Sequence, residues 1–512
     1  MAKNSLGREI PATWRGRTLD PYVDPWSRQP EVLRATRPLV RRAPGDSKLL
    51  PSLRAAIEAC GLKSGMTIST HHALRNGDLL LNLLVQEMDA MGLRDMGIAS
   101  SSVHGVAAEI IPYIRKGVIT RIETGVNGLI GELVSKGELD CPIIVRSHGG
   151  RARSLITGEV EVDAAFIAAP TCDITGNLNG VSGPAACGSL GYAFTDARYA
   201  RKVVAVTDNL VRFPAAPISI SQSDVDYVVQ IESLGDPAKI VSTTTRLTRD
   251  PAGLLIAKYA AEVIEASGLL KDGFSFQTGA GGTSLAVADL IHRKMAAGKI
   301  KGSFGCGGIT GYFVDMLEQG CFETLFDVQC FDLKAVESLR RNPGHREISA
   351  DLYANPFNRG AVVNMLDCVM LGATEVDVNF NVNVNTESSG YLLHNTGGHQ
   401  DVAAGAKLAI VVAPSMRGRL PIVREAVTTI TTPGETVDVI VTERGICVSD
   451  QHPDLKKELL KRNLPVKDIR QFHDEITRLT GVPRPVEFTD DIVALIEYRD
   501  GSIIDVVRRV SE

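Results

Sequence analysis

Val162-Asp163-Ala164-Ala165-Phe166-Ile167-Ala168 is a short, mostly apolar run that ends in Pro170 and a glycine turn at Gly176. A run of this length between turn formers reads as a buried strand rather than a helix. Similar runs stand at Met66–Ser69, Pro142–Val145 and Val203–Val206, and helix-like stretches cover 51–60 and 78–91. Short apolar strands alternating with helices predict parallel strands joined by crossover helices. The second half follows the same recipe, with helices near 252–267 and 283–297 and strands near 273–277, 362–371 and 408–413.

The halves also share local sequence. Val162-Asp163-x-x-Phe166 is echoed by Val376-Asp377-x-x-Phe380 at an offset of 214, where Asp173-Ile-Thr-Gly176 meets Glu387-Ser-Ser-Gly390. Each segment leads to a glycine turn (Gly183; Gly397-Gly398), then to Lys202-Val-Val-Ala-Val or Lys407-Leu-Ala-Ile-Val-Val. The common order predicts a tandem duplication, with one α/β domain at 51–245 and a second at 246–512. Ahead of them, residues 1–50 hold eight Arg and two Lys against five acids, six Pro, and both tryptophans. Proline at that density disfavours helix and ladder. An extended basic arm is expected, with Trp14, Trp26 and the Arg34–Arg42 cluster packed on the body or on another subunit.

Composition narrows the function. The 48 glycines in 512 residues are about 9%, above the usual ~7%, but without a period of three. A net charge of -5 supplies no broad field for nucleic acid. Nine scattered cysteines without a C-x-x-C pair suit a reducing compartment and argue against a zinc site. No stretch reaches the ~18 apolar residues of a membrane span, so a cytoplasmic protein is expected.

The glycines cluster at strand ends. Gln277-Thr-Gly279-Ala-Gly281-Gly282-Thr283-Ser284 precedes a helical run, so its backbone N–H groups can face an anion or oxyanion, or merely make a tight turn. Gly305-Cys-Gly307-Gly308 and Thr396-Gly397-Gly398-His399-Gln-Asp401 are similar turns. Their first-half counterparts are Thr124-Gly-Val-Asn127-Gly128 and Ser147-His148-Gly149-Gly150-Arg151. Neither a Rossmann fingerprint nor a Walker P-loop is met, which disfavours nucleotide phosphate. Cations stand nearby: His71, His72 and Arg75 after the first strand, then His148 and Arg151. Together they can bind a polycarboxylate, and singly each suits a structural ion pair or a satisfied histidine. Adjacent His71 and His72 face different ways, so no metal pair is expected. Asn379-Phe-Asn-Val-Asn-Val-Asn385 alternates as a strand with its amides outward, or with an amide wall beside a site. G-x-S-x-G, kinase and metalloprotease signatures are absent.

With the duplicated halves, Gly372-Ala-Thr-Glu-Val-Asp377 and Gly397-Gly-His-Gln-Asp401-Val-Ala-Ala-Gly-Ala-Lys407, the chain resembles the CoA-transferases. Gly125-Val-Asn-Gly-Leu-Ile-Gly131, Ala169-Pro-Thr-Cys-Asp-Ile-Thr-Gly-Asn177 and Thr386-Glu-Ser-Ser-Gly390 are similar to segments of the citrate lyase alpha subunits, over nearly the whole chain. The resemblance implies two tandem CoA-transferase-like domains with open, mainly parallel sheets. It implies exchange of acetyl for citryl on the CoA-like thiol of an acyl carrier protein (a gamma subunit), with a beta subunit cleaving the citryl thioester. It implies a larger complex with the chain itself in several copies, and no covalently held cofactor; acetyl-CoA or the carrier's CoA-like group would be the thioester substrate. Gly281, Gly282, Gly397 and Gly398 would serve the oxyanion. His71, His72, Arg75, Asn127, Gly128, His148, Arg151, Gly307, Gly308, His399 and Asp401 would line the substrate. Many CoA-transferases use a Glu within a Ser-Glu-Asn-Gly-like segment, whereas this chain reads Leu325-Phe-Asp-Val-Gln-Cys-Phe331 there. The resemblance therefore implies direct carboxylate attack through a mixed anhydride, with Glu387 as the alternative covalent nucleophile. A citramalate or other acid CoA-transferase, an acyl-CoA hydrolase, and a non-catalytic thioester-binding scaffold stay open at this point.

Overall fold

The buried apolar runs assemble into two parallel sheets in a computed structural model, which describes residues 2–28, 45–241, 246–279 and 281–511. The first sheet runs Leu49–Leu50, Tyr227–Gln230, Lys202–Thr207, Ala164–Ala168, Thr67–Ser69, Met96–Ile98 and Ile119–Ile122, all parallel. The second places Val439–Thr442, Leu408–Val412, Cys368–Gly372, Ser275–Thr278, Gly302–Ile309 and Phe322–Cys330 in the corresponding order. It adds His345–Glu347 at one edge and Gly445–Val448 with Val466–Lys467 at the other, where Gly445–Val448 runs antiparallel to its neighbour. Helices cover the faces, so strands such as Ala164–Ala168 and Leu408–Val412 are buried along their whole length. The expected helices lie at Leu53–Ala59, Leu80–Ala90, Pro251–Ala266 and Gly282–Gly298. The expected strand at 362–371 is shorter, because Val362–Met365 forms a 3-10 turn.

The repeat is real, but its register is ten residues shorter than the offset of 214. Asp163 Oδ2 accepts the Thr67 N–H at 2.9 Å, and Asp367 Oδ2 accepts the Ser275 N–H at the same distance. Further on, Asp173 gathers the N–H groups of Thr175, Gly176 and Asn177 and takes the Asn177 amide. Asp377 does the same with Asn379 and Asn381. Asp173-Ile-Thr-Gly-Asn-Leu-Asn179 therefore matches Asp377-Val-Asn-Phe-Asn-Val-Asn383, 204 residues on. Both turns carry a left-handed residue at the same place, Gly176 at φ 98° and Phe380 at φ 65°. Asn379–Asn385 is thus no regular strand. Three of its four amides point inward: Asn381, Asn383 and Asn385 are buried and hydrogen-bonded, and Asn379 is exposed. A polar amide can be buried only with such partners, which is why the alternation misled.

The halves are stitched together at a third sheet. Ile143–Val145 pairs in parallel with Phe488–Glu497, whose hairpin partner is Ile503–Val510. The chain's final hairpin thus completes a strand of the first half, and the boundary near 245 lies outside the described residues. The arm docks on this hairpin. Ile10 and Tyr22 are fully buried, and the Tyr22 ring meets Tyr498 edge-on at 5.0 Å. Its hydroxyl donates to Glu435 at 2.9 Å. Trp14 is half-buried, whereas Trp26 is 65% exposed and holds on through its indole N–H to the Ala404 carbonyl. Despite its prolines the arm makes two-residue ladders, Ala2–Lys3 with Glu9–Ile10 and Thr13–Trp14 with Arg17–Thr18. Residues 34–42 lie outside the described residues.

Removing a buried aromatic costs about 3–5 kcal/mol. Tyr22→Ala is therefore expected to undock the arm, so that trypsin cuts after Arg17 and Arg28 faster while sites in the two sheets keep their resistance. Unchanged cleavage of the arm would contradict its anchoring through Tyr22.

Candidate active site

Strand order in the first sheet changes direction between Thr67–Ser69 and Ala164–Ala168, since later strands add outward on both sides of that pair. Connections leave such a point to opposite sides and open a crevice beyond the carboxyl ends of the strands. Residues 70–75 follow one strand end and 99–104 follow the next, which delivers His71, His72, Arg75 and His104 to the crevice. Its free volume is about 20 Å³, and Thr70, Asp78 and Ser102 complete much of the wall. A larger hollow of about 270 Å³ lies under the arm, but Arg146 and Arg153 in its wall are already paired with Glu497.

Asp196 anchors the crevice floor. It takes a bidentate pair from Arg151 at 2.7 and 2.8 Å and the Ser69 hydroxyl at 2.6 Å. His71 Nε2 stands 3.1 Å from it, poorly aligned for a hydrogen bond. Burial alone would raise the Asp196 pKa, but Arg151 and His71 outweigh it and hold the carboxylate well below its usual range. Arg151 also donates to the Ala99 and Ser100 carbonyls at 2.6 and 3.1 Å. The expected carboxylate-binding role of Arg151 is corrected accordingly: its charge is already matched by Asp196.

Above the floor stands an aromatic stack. His72 lies on Tyr192 with ring centroids 4.5 Å apart, Tyr192 meets His148 at 4.5 Å, and His104 is 5.1 Å from His72. Burial depresses the His72 pKa, helped by the neighbouring rings. Burial also lowers His104 to about 4, with Arg75 adding to it, and His148 to about 3, with Arg151 adding. These histidines are neutral near pH 7. His72 Nδ1 pairs with the Ser101 hydroxyl at 2.6 Å, and its carbonyl accepts the Gln329 amide at 2.7 Å, a contact from the second half.

Arg75 is different. Its guanidinium lies over the Phe331 ring at 4.8 Å, and its Nη1 is buried without a hydrogen-bond partner among the described residues. Burial lowers its pKa, yet a guanidinium stays charged in proteins. A desolvated cation with a free donor, ringed by neutral imidazoles, is an arrangement completed by an anion. Asp78, on the same wall, is pushed by burial up to about 7 and so is partly protonated near neutrality.

The second half packs against these residues without lining the crevice itself. The Gly397 carbonyl accepts the His148 N–H at 2.9 Å, and Gly398 faces the Tyr353 hydroxyl. Gly307 and Gly308 act as clearance: a Cβ on Gly308 would lie 2.2 Å from Phe331, the ring beneath Arg75. Asn127 and Gly128 open the helix Gly128–Ser135, where Gly128 packs beside Gly105 and so beside His104.

Other expected site residues stand elsewhere or have other work. Both His399 nitrogens are engaged, with Thr432 at 2.7 Å and the Gly372 carbonyl at 2.9 Å, so His399 is structural. Asp401 is fully buried and accepts from Ser147 and the Gly149 N–H rather than facing the crevice. Glu387 is exposed on a turn, where it accepts the Ser389 hydroxyl at 3.1 Å. Gly281 is exposed with open space around it, and Gly282 packs against the backbone of Arg246 and Thr248. Neither is brought to the histidine stack. Tyr192, Ser101, Gln329 and Phe331 complete the site, yet no motif marks them; they meet only through packing of the two halves.

Comparison with known proteins follows the same line. Residues 46–510 match the family model described as "Citrate lyase, alpha subunit (CitF)". The chain is 48% identical to the citrate lyase alpha chain of Klebsiella pneumoniae over 464 residues, 90% of this chain and 91% of that one. It is 47% identical to the Escherichia coli K12 citrate lyase alpha chain, over 91% and 92% of the two. A solved citrate lyase alpha subunit from Streptococcus mutans, in complex with citrate, superposes over all of both chains with a TM-score of 0.96 and 45% identity. The malonate decarboxylase alpha subunit of Acinetobacter baumannii, 16% identical with a TM-score of 0.63 over 85% of this chain and 93% of that one, shares the fold.

The neutral histidines predict a pH effect. Folded His148 takes a proton only near pH 3, whereas unfolded His148 takes it near 6.5. Between these values the unfolded state binds more protons, so this residue makes stability fall as pH drops. His148→Gln should therefore lose less of its thermal midpoint than the parent protein between pH 7 and 5. Equal slopes would contradict a neutral, buried His148.

Proposed function

Since the chain belongs to the citrate lyase alpha subunit family, we propose that it is the acyl-transferase subunit of a citrate lyase, exchanging acetyl for citryl on a carrier-borne thiol. The observation that carries this reading is Arg75, whose buried, unpartnered Nη1 asks for a carboxylate between neutral imidazoles. Citrate then binds with one carboxylate on Arg75, and the remaining carboxylates stay free to react or meet His72, His104 and Asp78.

The chemistry needs no activated side chain. A citrate carboxylate oxygen attacks the acetyl thioester carbonyl, the C–S bond breaks, and a citryl–acetyl anhydride and a thiolate result. The thiolate then attacks the citryl carbonyl, the anhydride C–O bond breaks, and acetate leaves. Both nucleophiles are anions, so the protein's task is orientation and stabilisation of the oxyanion. Neutral imidazoles suit this task, because they present N–H donors without adding cations that would hold citrate too tightly. The exposed place of Glu387 supports direct transfer over a glutamyl intermediate. The thioester belongs to an acyl carrier partner, and a lyase partner cleaves the citryl product. Among the described residues no helix is long and apolar enough to cross a membrane; the reading places the complex in the cytoplasm.

Truncating one side of a buried charge interaction typically costs about 2–5 kcal/mol, or roughly 30- to several-thousand-fold. Arg75→Gln is expected to lower kcat/KM for citrate by that order, with KM for the acetyl thioester changed less than about threefold. An unchanged citrate KM would overturn the assignment of Arg75. Hydroxylamine or borohydride added after acetyl-thioester treatment should trap no carboxylate on the protein, and a modified Glu or Asp would overturn direct transfer.

A further inference from the structure

We infer that Asp401 is a positioning residue for acyl transfer: its carboxylate clamps the Ser147–Gly150 turn of the first half onto the Gly397–Gly398 turn of the second, and so fixes where His148 stands. The inference rests on the reading above and adds to it that His148, stacked on Tyr192 and 5.8 Å from His72, is one of the imidazoles that serve the reacting site.

The geometry is specific. Asp401 lies on the helix His399–Gly405 and is fully buried. One oxygen accepts the Ser147 hydroxyl at 2.9 Å, and the other accepts the Gly149 N–H at 3.0 Å. Ser147 in turn caps its helix by accepting the Gly150 N–H at 2.9 Å. Between those two anchors, the His148 N–H donates to the Gly397 carbonyl at 2.9 Å. Three successive residues are therefore pinned to the second half, and the central one carries the imidazole stacked on Tyr192. The fit leaves no slack. A Cβ on Gly149 would stand 2.0 Å from the Ala354 carbonyl oxygen and 2.7 Å from Asp401 itself. Arg499 holds the far side, with its Nε 3.7 Å from Asp401 and an N–H donated to that same Ala354 carbonyl at 3.1 Å.

A carboxylate is the group this place requires. Two donors from different residues reach its two oxygens, and a buried guanidinium faces it. Asparagine offers one acceptor and turns its NH2 toward either a hydroxyl already accepting from Gly150 or the Gly149 N–H. The clamp does not touch Arg75, and His148 reaches the citrate side only through ring contacts with Tyr192 and His72, so the grip of Arg75 on citrate and the placement of His148 are separable. Loss of the clamp should slow the transfer without weakening citrate binding.

The test is a double-mutant cycle on the full chain assembled with its partners, assayed with citrate and acetyl thioester. His148→Gln alone should lower kcat, and Asp401→Asn should lower kcat about 10- to 100-fold while KM for citrate stays within threefold. The double variant should be no slower than His148→Gln, because both changes act through one side chain. Ser147→Ala, which deletes a single hydroxyl, is the milder second probe should Asp401→Asn fold poorly, and its kcat should fall several-fold at constant KM. Full activity of His148→Gln would overturn the placement of His148 in the site. An impaired His148→Gln beside a fully active Asp401→Asn or Ser147→Ala would overturn the clamp alone, as would additive losses or a rise in citrate KM.

Discussion

The ion pair between Arg151 and Asp196 is the constraint on which the site depends. It joins the helix His148–Thr157 to the helix Ala193–Tyr199, and through Ser69, Ala99 and Ser100 it ties both to the ends of two neighbouring strands. A buried pair is no guarantee of stability, since desolvating two charges costs as much as their attraction returns. Its value lies in geometry: with both partners satisfied by further hydrogen bonds, only one arrangement of these four segments leaves no charge stranded. Breaking it would leave a bare carboxylate under the histidine stack.

The pair also sets the electrostatics above it. Arg151 is cancelled by Asp196, burial keeps His72, His104 and His148 neutral, and Arg75 remains as the cation without a carboxylate or hydrogen bond at Nη1. One such cation suits a substrate that carries several carboxylates. Held at a single point, the acid keeps another carboxylate reactive, whereas a pocket of many cations would bind it at every oxygen and favour the ground state. The second half contributes shape more than charge, through Gln329, Phe331 and Gly308, whose missing side chain leaves room for the Phe331 ring beneath the guanidinium.

Much of this was legible in the residues. The strand runs, the crossover helices and the duplication follow from apolar run length and turn placement, and His71, His72, Arg75 and His148 do gather where strand ends meet. The register of the repeat did not follow. Val-Asp-x-x-Phe matched by residue identity at the wrong spacing, whereas the true equivalence rests on a backbone role, an aspartate gathering N–H groups in a turn that tolerates either Gly176 or Phe380 in the left-handed region. Arg151, His399 and Asp401 share one feature that residue type does not show. Their residue types suit a substrate, but each finds its partners inside the protein, Arg151 and His399 within their own halves and Asp401 across them. Gly281, Gly282 and Glu387 illustrate the converse, since a glycine turn or a free carboxylate says nothing about what stands opposite it.

In the proposed reading, citrate enters the histidine-lined crevice because Arg75 Nη1 lacks a hydrogen-bond partner there. A crystal structure of this chain grown with citrate tests it most directly. A citrate carboxylate is expected within hydrogen-bond distance of Arg75 Nη1, with His72 and His104 beside it and the Arg151–Asp196 pair unchanged. Citrate bound to Arg151 in place of Asp196, or seated elsewhere with Arg75 Nη1 still unpartnered, would contradict it.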